Sequence, residues 1–224
     1  MPRFRLRVHR LANVVLVTFG VALLPGPAQA RQVVLVASDV GVDGIPAHGI
    51  SPTSPGHVGA YDAVTGATVN ANFIPAIGGG EHRLALDGHN HVFVSNSADN
   101  TVGEYDATTG ATINAAFING QGLNQPLGMV VDANNRLFVV NSGNSTVGAY
   151  NATTGATINA RFVNGTGAAF PTGIALDGAN HLLVLNNGAG PGLVVRYDAT
   201  TGAQLLPFPF VPNLASPTKS PWMA

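Results

Sequence analysis

Four tyrosines, Tyr61, Tyr105, Tyr150 and Tyr197, recur at steps of 44, 45 and 47 residues along this 224-residue chain. Four glycines, Gly66, Gly110, Gly155 and Gly202, keep the same steps. The unit around them is clearest where it reads Pro171-Thr-Gly-Ile-Ala-Leu-Asp, then Leu182-Leu-Val-Leu-Asn, then Val195-Arg-Tyr-Asp-Ala-Thr-Thr-Gly. A unit this short cannot bury its apolar faces alone and must stack on its neighbours. A period of about 45 residues with several short strands in each copy predicts the blades of a β-propeller.

Each copy resolves into four strands. The first is an apolar segment closed by aspartate: Leu84-Ala-Leu-Asp87, Met129-Val-Val-Asp132 and Ile174-Ala-Leu-Asp177. The second, His91 to Asn96, Arg136 to Asn141 and His181 to Asn186, is apolar on both faces, as a strand sandwiched between neighbouring sheets must be. The third runs over Thr101 to Tyr105 and Thr146 to Tyr150. The fourth runs over Ala111 to Phe117, where Ala111, Ile113, Ala115 and Phe117 alternate with polar or small residues. The link Asp106-Ala-Thr-Thr-Gly110 carries its own logic. The carboxylate accepts backbone N–H bonds and opens the turn, and the glycine takes the left-handed conformation that a bulged hairpin requires. On that reading Gly110→Ala costs roughly 1–2 kcal/mol. Asp87, Asp132 and Asp177, one per copy, read as turn caps, and Asn96, Asn141 and Asn186 as anchors for the following loop.

The expected fold is therefore all-β: a β-propeller with four blade-equivalents of four-stranded antiparallel sheet, at about residues 32–74, 81–118, 126–163 and 171–210, then an irregular tail. Gln32 to Ser38 reads as the second strand of a first blade that has no first strand before it. The tail Pro217-Thr218-Lys219 repeats the opening Pro171-Thr172-Gly173, but Pro221 falls where a strand should run, and proline cannot donate to a ladder. The chain thus reads as an incomplete or truncated ring that stops as a fifth blade begins. A closed four-bladed ring is the competing expectation.

Residues 1–30 read as a cleaved secretory signal peptide, with Arg3, Arg5, Arg7 and Arg10, an apolar core from Leu11 to Leu24, and an Ala28-Gln29-Ala30 cleavage site. The apolar run is short of the ~20 residues a membrane span needs. Residues 31–224 keep six Lys and Arg against eleven Asp and Glu, a net charge of −5. That balance gives no footprint for nucleic acid and, once the leader is removed, none for a membrane. The chain has no cysteine, which excludes disulfides and thiolate metal sites even in an oxidising compartment. Periplasmic or secreted placement follows.

The Pro-x-Gly-Ile-Ala-Leu-Asp opening and the Leu-Phe-Val run resemble NHL-repeat propellers. The segment Val139-Val-Asn-Ser-Gly-Asn-Ser-Thr-Val-Gly-Ala-Tyr150, with Ala152-Thr-Thr-Gly155, is similar to the YVTN type. The resemblance spans residues 32 to about 210 and implies a propeller, in families that include protein-binding and ligand-binding scaffolds as well as enzymes. Both types usually close with six or seven blades, so four is a departure. Gluconolactonase-like metal hydrolases and streptogramin lyases share the broader architecture. The former hold a divalent metal at the central channel with a Glu, an Asn and an Asp. Only Glu81 offers a counterpart here, so their catalytic residues do not carry over.

In a repeat protein, specific chemistry is best sought where one copy breaks the pattern. The second blade opens with Glu81-His82-Arg83 after Gly78-Gly-Gly80, where the others have Pro126-Leu-Gly128 and Pro171-Thr-Gly173. This segment leads into the innermost strand, so the three polar side chains are expected at a channel mouth. There Glu81 and His82 suit a divalent cation such as Ca²⁺ or Zn²⁺, and Arg83 an anionic group. The competing reading is a polar loop end with Arg83 paired to Glu81. The second break is the insertion from Asp39 to Gly56, with Asp43, His48 and the neighbouring His57; their spacing fits no metal loop and suggests a cover. His91 and His181 share a position with Arg136 and read as an exposed strand start. No complete catalytic set and no cofactor motif is present. The function expected is a non-enzymatic exported scaffold binding a protein, glycan or small ligand through rim and channel loops. The alternative is a metal-dependent lactonase or lyase with Glu81 as ligand.

Overall fold

The computed structural model describes residues 14–15, 33–38, 56–75, 77–78, 80, 82–165, 170–187, 192–205 and 211–214, and every regular element among them is a strand. They form four antiparallel four-stranded sheets in sequence order. Blade one is β1 (Val14–Val15), β2 (Val33–Ser38), β3 (His57–Asp62) and β4 (Thr68–Ile74). Blade two is β5 (Leu84–Leu86), β6 (His91–Asn96), β7 (Thr101–Asp106) and β8 (Thr112–Asn119). Blade three is β9 (Pro126–Val131), β10 (Arg136–Asn141), β11 (Thr146–Asn151) and β12 (Thr157–Asn164). Blade four is β13 (Pro171–Leu176), β14 (His181–Asn186), β15 (Gly192–Asp198) and β16 (Val211–Leu214). The expected second strands match β6, β10 and β14 residue for residue.

One placement differs from expectation. The innermost position of blade one is occupied: Val14 and Val15, from the stretch read as a leader, pair with Ser38 and Ala37 of β2. An apolar, β-branched pair suits an inner-strand position as well as it suits a signal-peptide core, and periodicity alone does not separate the two. The insertion up to residue 55 and the tail residues 215–224, including Pro217 to Pro221, lie outside the described residues.

The core is built between blades, and the strand period of two decides which side chain meets which neighbour. In β6 and β10, Val92, Val94, Leu137 and Val139 turn towards the preceding blade, while Phe93 and Phe138 turn towards the following one. Three apolar clusters result. The first joins blades one and two around Val58, Ile74, Val92 and Tyr105; the second joins two and three around Phe93, Leu137, Val139 and Tyr150; the third joins three and four around Phe138, Val140, Leu182, Val184 and Tyr197. Stability in this fold is therefore shared between adjacent repeats.

The turn between the third and fourth strands forms as its sequence predicts. Asp106 Oδ1 accepts from Thr108 N at 2.9 Å and from Thr109 N at 2.7 Å, and the Thr109 hydroxyl donates to it at 2.9 Å. Gly110, at φ 74°, closes the loop by donating its N–H to Asp106 O at 2.9 Å. Burial works against ionisation of Asp106, but the bonds from Thr109, Thr108 and Asn90 prevail and hold its carboxyl below the usual range. Asp198 is lowered by the same backbone donors, Thr201 and Thr200.

Candidate functional site

The innermost strands approach closely at one end. A Cβ added at Gly128 would stand 2.9 Å from Gly173 Cα and from Thr172 O, so β9 approaches β13 this closely only because residue 128 is glycine. Towards the other end, larger side chains stand at these strands, and a cleft of roughly 350 Å³ opens between β5, β9 and β13. Its walls are Ala85, Leu86, Met129, Val130, Val131, Ile174, Ala175 and Leu176. No wall residue carries a polar side chain, so the cleft suits apolar groups.

Strands β5, β9 and β13 each then run into the recurrent aspartate, Asp87, Asp132 or Asp177, and each aspartate is already engaged. Asp87 Oδ1 accepts from His89 N at 2.7 Å and His91 N at 3.1 Å, while His91 Nδ1 stands 2.7 Å from Oδ2. Asp132 repeats the arrangement with Asn134 N, Arg136 N and the Arg136 Nε, the last at 2.7 Å. Asp177 repeats it with Ala179 N, His181 N and His181 Nδ1, again at 2.7 Å. The hydrogen bonds from the His181 backbone and ring hold the Asp177 carboxyl below its ordinary value. The position shared by His91, Arg136 and His181 is thus the partner of the strand-one aspartate, more than a bare exposed edge. Arg136 also lies 4.9 Å from the centroid of the Phe138 ring, which ties the pair into the blade.

The residues singled out by the broken repeat fall at the opposite end of the inner strands. His82 is fully buried, so it does not stand at an open channel mouth, and its Nδ1 lies 2.9 Å from Ser95 O. Arg83 N donates to the Ser95 hydroxyl at 3.0 Å, Ser95 N donates to Arg83 O at 3.0 Å, and the Arg83 guanidinium donates to His82 O at 2.9 Å. In the neighbouring blade the positions of His82 and Ser95 are held by Leu127 and Val140. The deviation thus sets the His82 imidazole on the Ser95 carbonyl and the Ser95 hydroxyl on the Arg83 amide, two bonds that dock the start of β5 on β6. Glu81, Asp43 and His48 lie outside the described residues. His57, half-buried, begins β3 opposite Ser38. The two breaks do meet through their backbones, since Gly56 N donates to Gly78 O at 2.8 Å and Ile77 N to Gly56 O at 2.9 Å. Among the described residues no group of three His, Asp or Glu is placed to hold a metal ion.

One charged residue escapes the sequence reading. Glu104 is 6% exposed on β7, on the face towards blade three, with Oε1 3.8 Å from His91 Nδ1. The signal was present: the other copies have Ala60, Ala149 and Arg196 at that position. Burial pushes its carboxyl up, His91 pulls it down, and Asp87 pushes it up further, with a net rise. A raised carboxyl value means that Glu104 favours the folded state below its unfolded value of 4.5 and that this contribution is lost as pH rises through the folded value. Glu104→Gln is therefore expected to raise stability at pH 7 by more than at pH 4. Urea unfolding at the two pH values reads this directly, and an equal change at both would contradict it.

Residues 54–158, less than half of the chain, match the family model described as the outer membrane protein assembly factor BamB. No curated protein matches. A solved structure of a functionally unknown protein from Desulfotomaculum acetoxidans is similar at 15% identity and TM-score 0.51, covering 80% of this chain and 52% of that one. A luciferin-regenerating enzyme is similar at 18% identity and TM-score 0.50, covering 69% of this chain and 50% of that one. The chain thus spans about half the length of these two structures. At such identities the likeness is one of fold, and it agrees with the sheets: the described residues form four blades of an incomplete β-propeller.

Proposed function

We propose that the chain is an exported, non-catalytic propeller scaffold of NHL or YVTN type that holds an apolar segment of a protein partner in the inner-strand cleft. The observation that carries this reading is the cleft itself. Its walls are aliphatic, and the aspartate beside each inner strand is held by backbone donors and a base four residues on. A carboxylate so engaged is poorly placed to ligate a metal or abstract a proton, whereas an apolar wall rewards burial of side chains from a partner. The similarity of residues 54–158 to an assembly factor of the outer membrane supports a protein partner and a periplasmic place. The arginine-rich, apolar leader supports export.

A fluorescein-labelled peptide of alternating valine and serine is the probe. It is expected to bind the full chain, and Val130→Asp, which plants a charge on the cleft wall, is expected to weaken it at least about tenfold. Unchanged affinity in that variant, with the fold verified by circular dichroism, would remove the cleft from the reading. Chelator-sensitive hydrolysis of lactones in the presence of Ca²⁺ or Zn²⁺ would replace it with the metal-hydrolase alternative.

A further inference from the structure

Among the described residues, blade one and blade four each have one face that no other blade covers, and the two faces are the complementary halves of one repeated interface. In blades two and three, the side chains directed to the following blade are fully buried: Phe93, Ser95 and Val102, then Phe138, Val140 and Val147. The register of β13, β14 and β15 puts Ala175, Leu183, Leu185 and Val194 at these positions in blade four. There Leu185 is 36% exposed, Ala175 is exposed, and Leu183 and Val194 are only half-buried. At the other end, the register of β2 and β3 puts Val34, Val36 and Tyr61 where Val92, Val94 and Tyr105 face the preceding blade. Val34, Val36 and Tyr61 are half-buried, while Tyr105, Tyr150 and Tyr197 are 7%, 0% and 2% exposed.

A backbone feature gives the same answer. Gly110, Gly155 and Gly202 seat against the carbonyls of Phe73, Phe117 and Phe162 in the blade before. Gly66 has the same turn and the same positive φ, 71°, with nothing within 4 Å of the place a Cβ would take. Blade one therefore carries the seat for a preceding blade, and blade four carries the apolar face that such a blade presents.

We infer that a second copy of this chain supplies both missing neighbours, blade four of each copy packing on blade one of the other. The arrangement has two-fold symmetry, so it closes after two chains. It yields eight blades, within the usual ring size, and turns the open inner cleft into an enclosed channel. It stands apart from the occupant of that cleft, and the residues that test it do not line the cleft.

Sedimentation or light scattering of the full-length chain is expected to give twice the chain mass and nothing larger. Leu185→Asp is expected to raise the dissociation constant at least about a hundredfold, because each chain loses two apolar contacts to an uncompensated charge. The chain lacks cysteine, so cross-linking can be directed to single introduced thiols. Mixing V36C with L185C protein and adding a short bis-maleimide should give a covalent dimer of one of each. A monomer at all concentrations, an open-ended polymer, or cross-linking within one chain of the V36C/L185C double variant would each overturn the inference. The last of these would establish a ring closed by four blades. A Leu185→Asp protein that fails to fold leaves the cross-linking of the two single variants as the deciding measurement.

Discussion

Gly110→Ala is expected to destabilise the protein by about 3 kcal/mol or more, well beyond what the turn conformation alone would cost. Two effects add. The residue sits at φ 74°, where a Cβ is strained by about 1–2 kcal/mol. Its Cβ would also fall on the Phe73 carbonyl oxygen of the preceding blade, a backbone atom held in β4 that cannot swing aside. Overpacking against a fixed neighbour adds roughly 1–3 kcal/mol. Gly120→Ala separates the two effects, since Gly120 has φ 68° and nothing within 4 Å of its Cβ position. Urea unfolding should place Gly120→Ala near the conformational penalty alone, and equal losses in the two variants would refute the carbonyl contact. The same collision with Phe117 and Phe162 makes Gly155 and Gly202 sites of equivalent cost.

That contact also marks where sequence reasoning ended. The glycine was legible as a turn residue, because Asp-x-x-Thr-Gly is a local pattern with a local cause. Its second role lies across an interface 37 residues back in the chain, and no local rule points from Gly110 to Phe73. Strand identities were legible for the same local reason: β6, β10 and β14 are apolar on both faces and bounded by polar links. The pairing of Val14–Val15 with Ser38 and Ala37 was not, since an inner strand and a leader core ask for the same side chains.

The candidate site was less legible than the fold. Comparing copies drew attention to His82 and Arg83 because they differ from Leu127 and Gly128. In the structure the His82 imidazole meets the Ser95 carbonyl and the Arg83 guanidinium turns back to the His82 carbonyl, so both polar side chains have backbone partners and a broken repeat need not mark a ligand. The cleft was hidden for the opposite reason. Ala85, Leu86, Val130, Val131 and Ala175 obey the repeat, and only the packing of three inner strands side by side makes their regularity a wall. Glu104 is legible in the repeat itself, since a carboxylate stands there where the other copies have Ala60, Ala149 and Arg196.

The second large effect is expected at alkaline pH, from the repeat tyrosines themselves. Burial raises the hydroxyls of Tyr150 and Tyr197 from 10.0 to about 12, and burial raises that of Tyr105 as well. The fold thus prefers the neutral phenol. The contribution is complete below the unfolded value near 10 and is lost as pH climbs to about 12, at up to about 1.4 kcal/mol per pH unit for each tyrosine. The protein should unfold cooperatively in that window, followed by tyrosinate absorbance and circular dichroism together. The two hydroxyls are not equivalent. Tyr150 Oη donates to Gln121 O at 3.1 Å, and its ring lies across Gly148, where any side chain would strike it. Blade four has Val195 at that place, and Tyr197 Oη is buried with no hydrogen-bond partner among the described residues. Tyr150→Phe should cost about 1 kcal/mol at pH 7, whereas Tyr197→Phe, which removes a buried unsatisfied group, should gain roughly 1 kcal/mol. Both should move the alkaline midpoint upward relative to their stability at pH 7. A Tyr197→Phe protein less stable than the parent at neutral pH, or a midpoint that neither substitution moves, would show that burial of these hydroxyls does not set the transition.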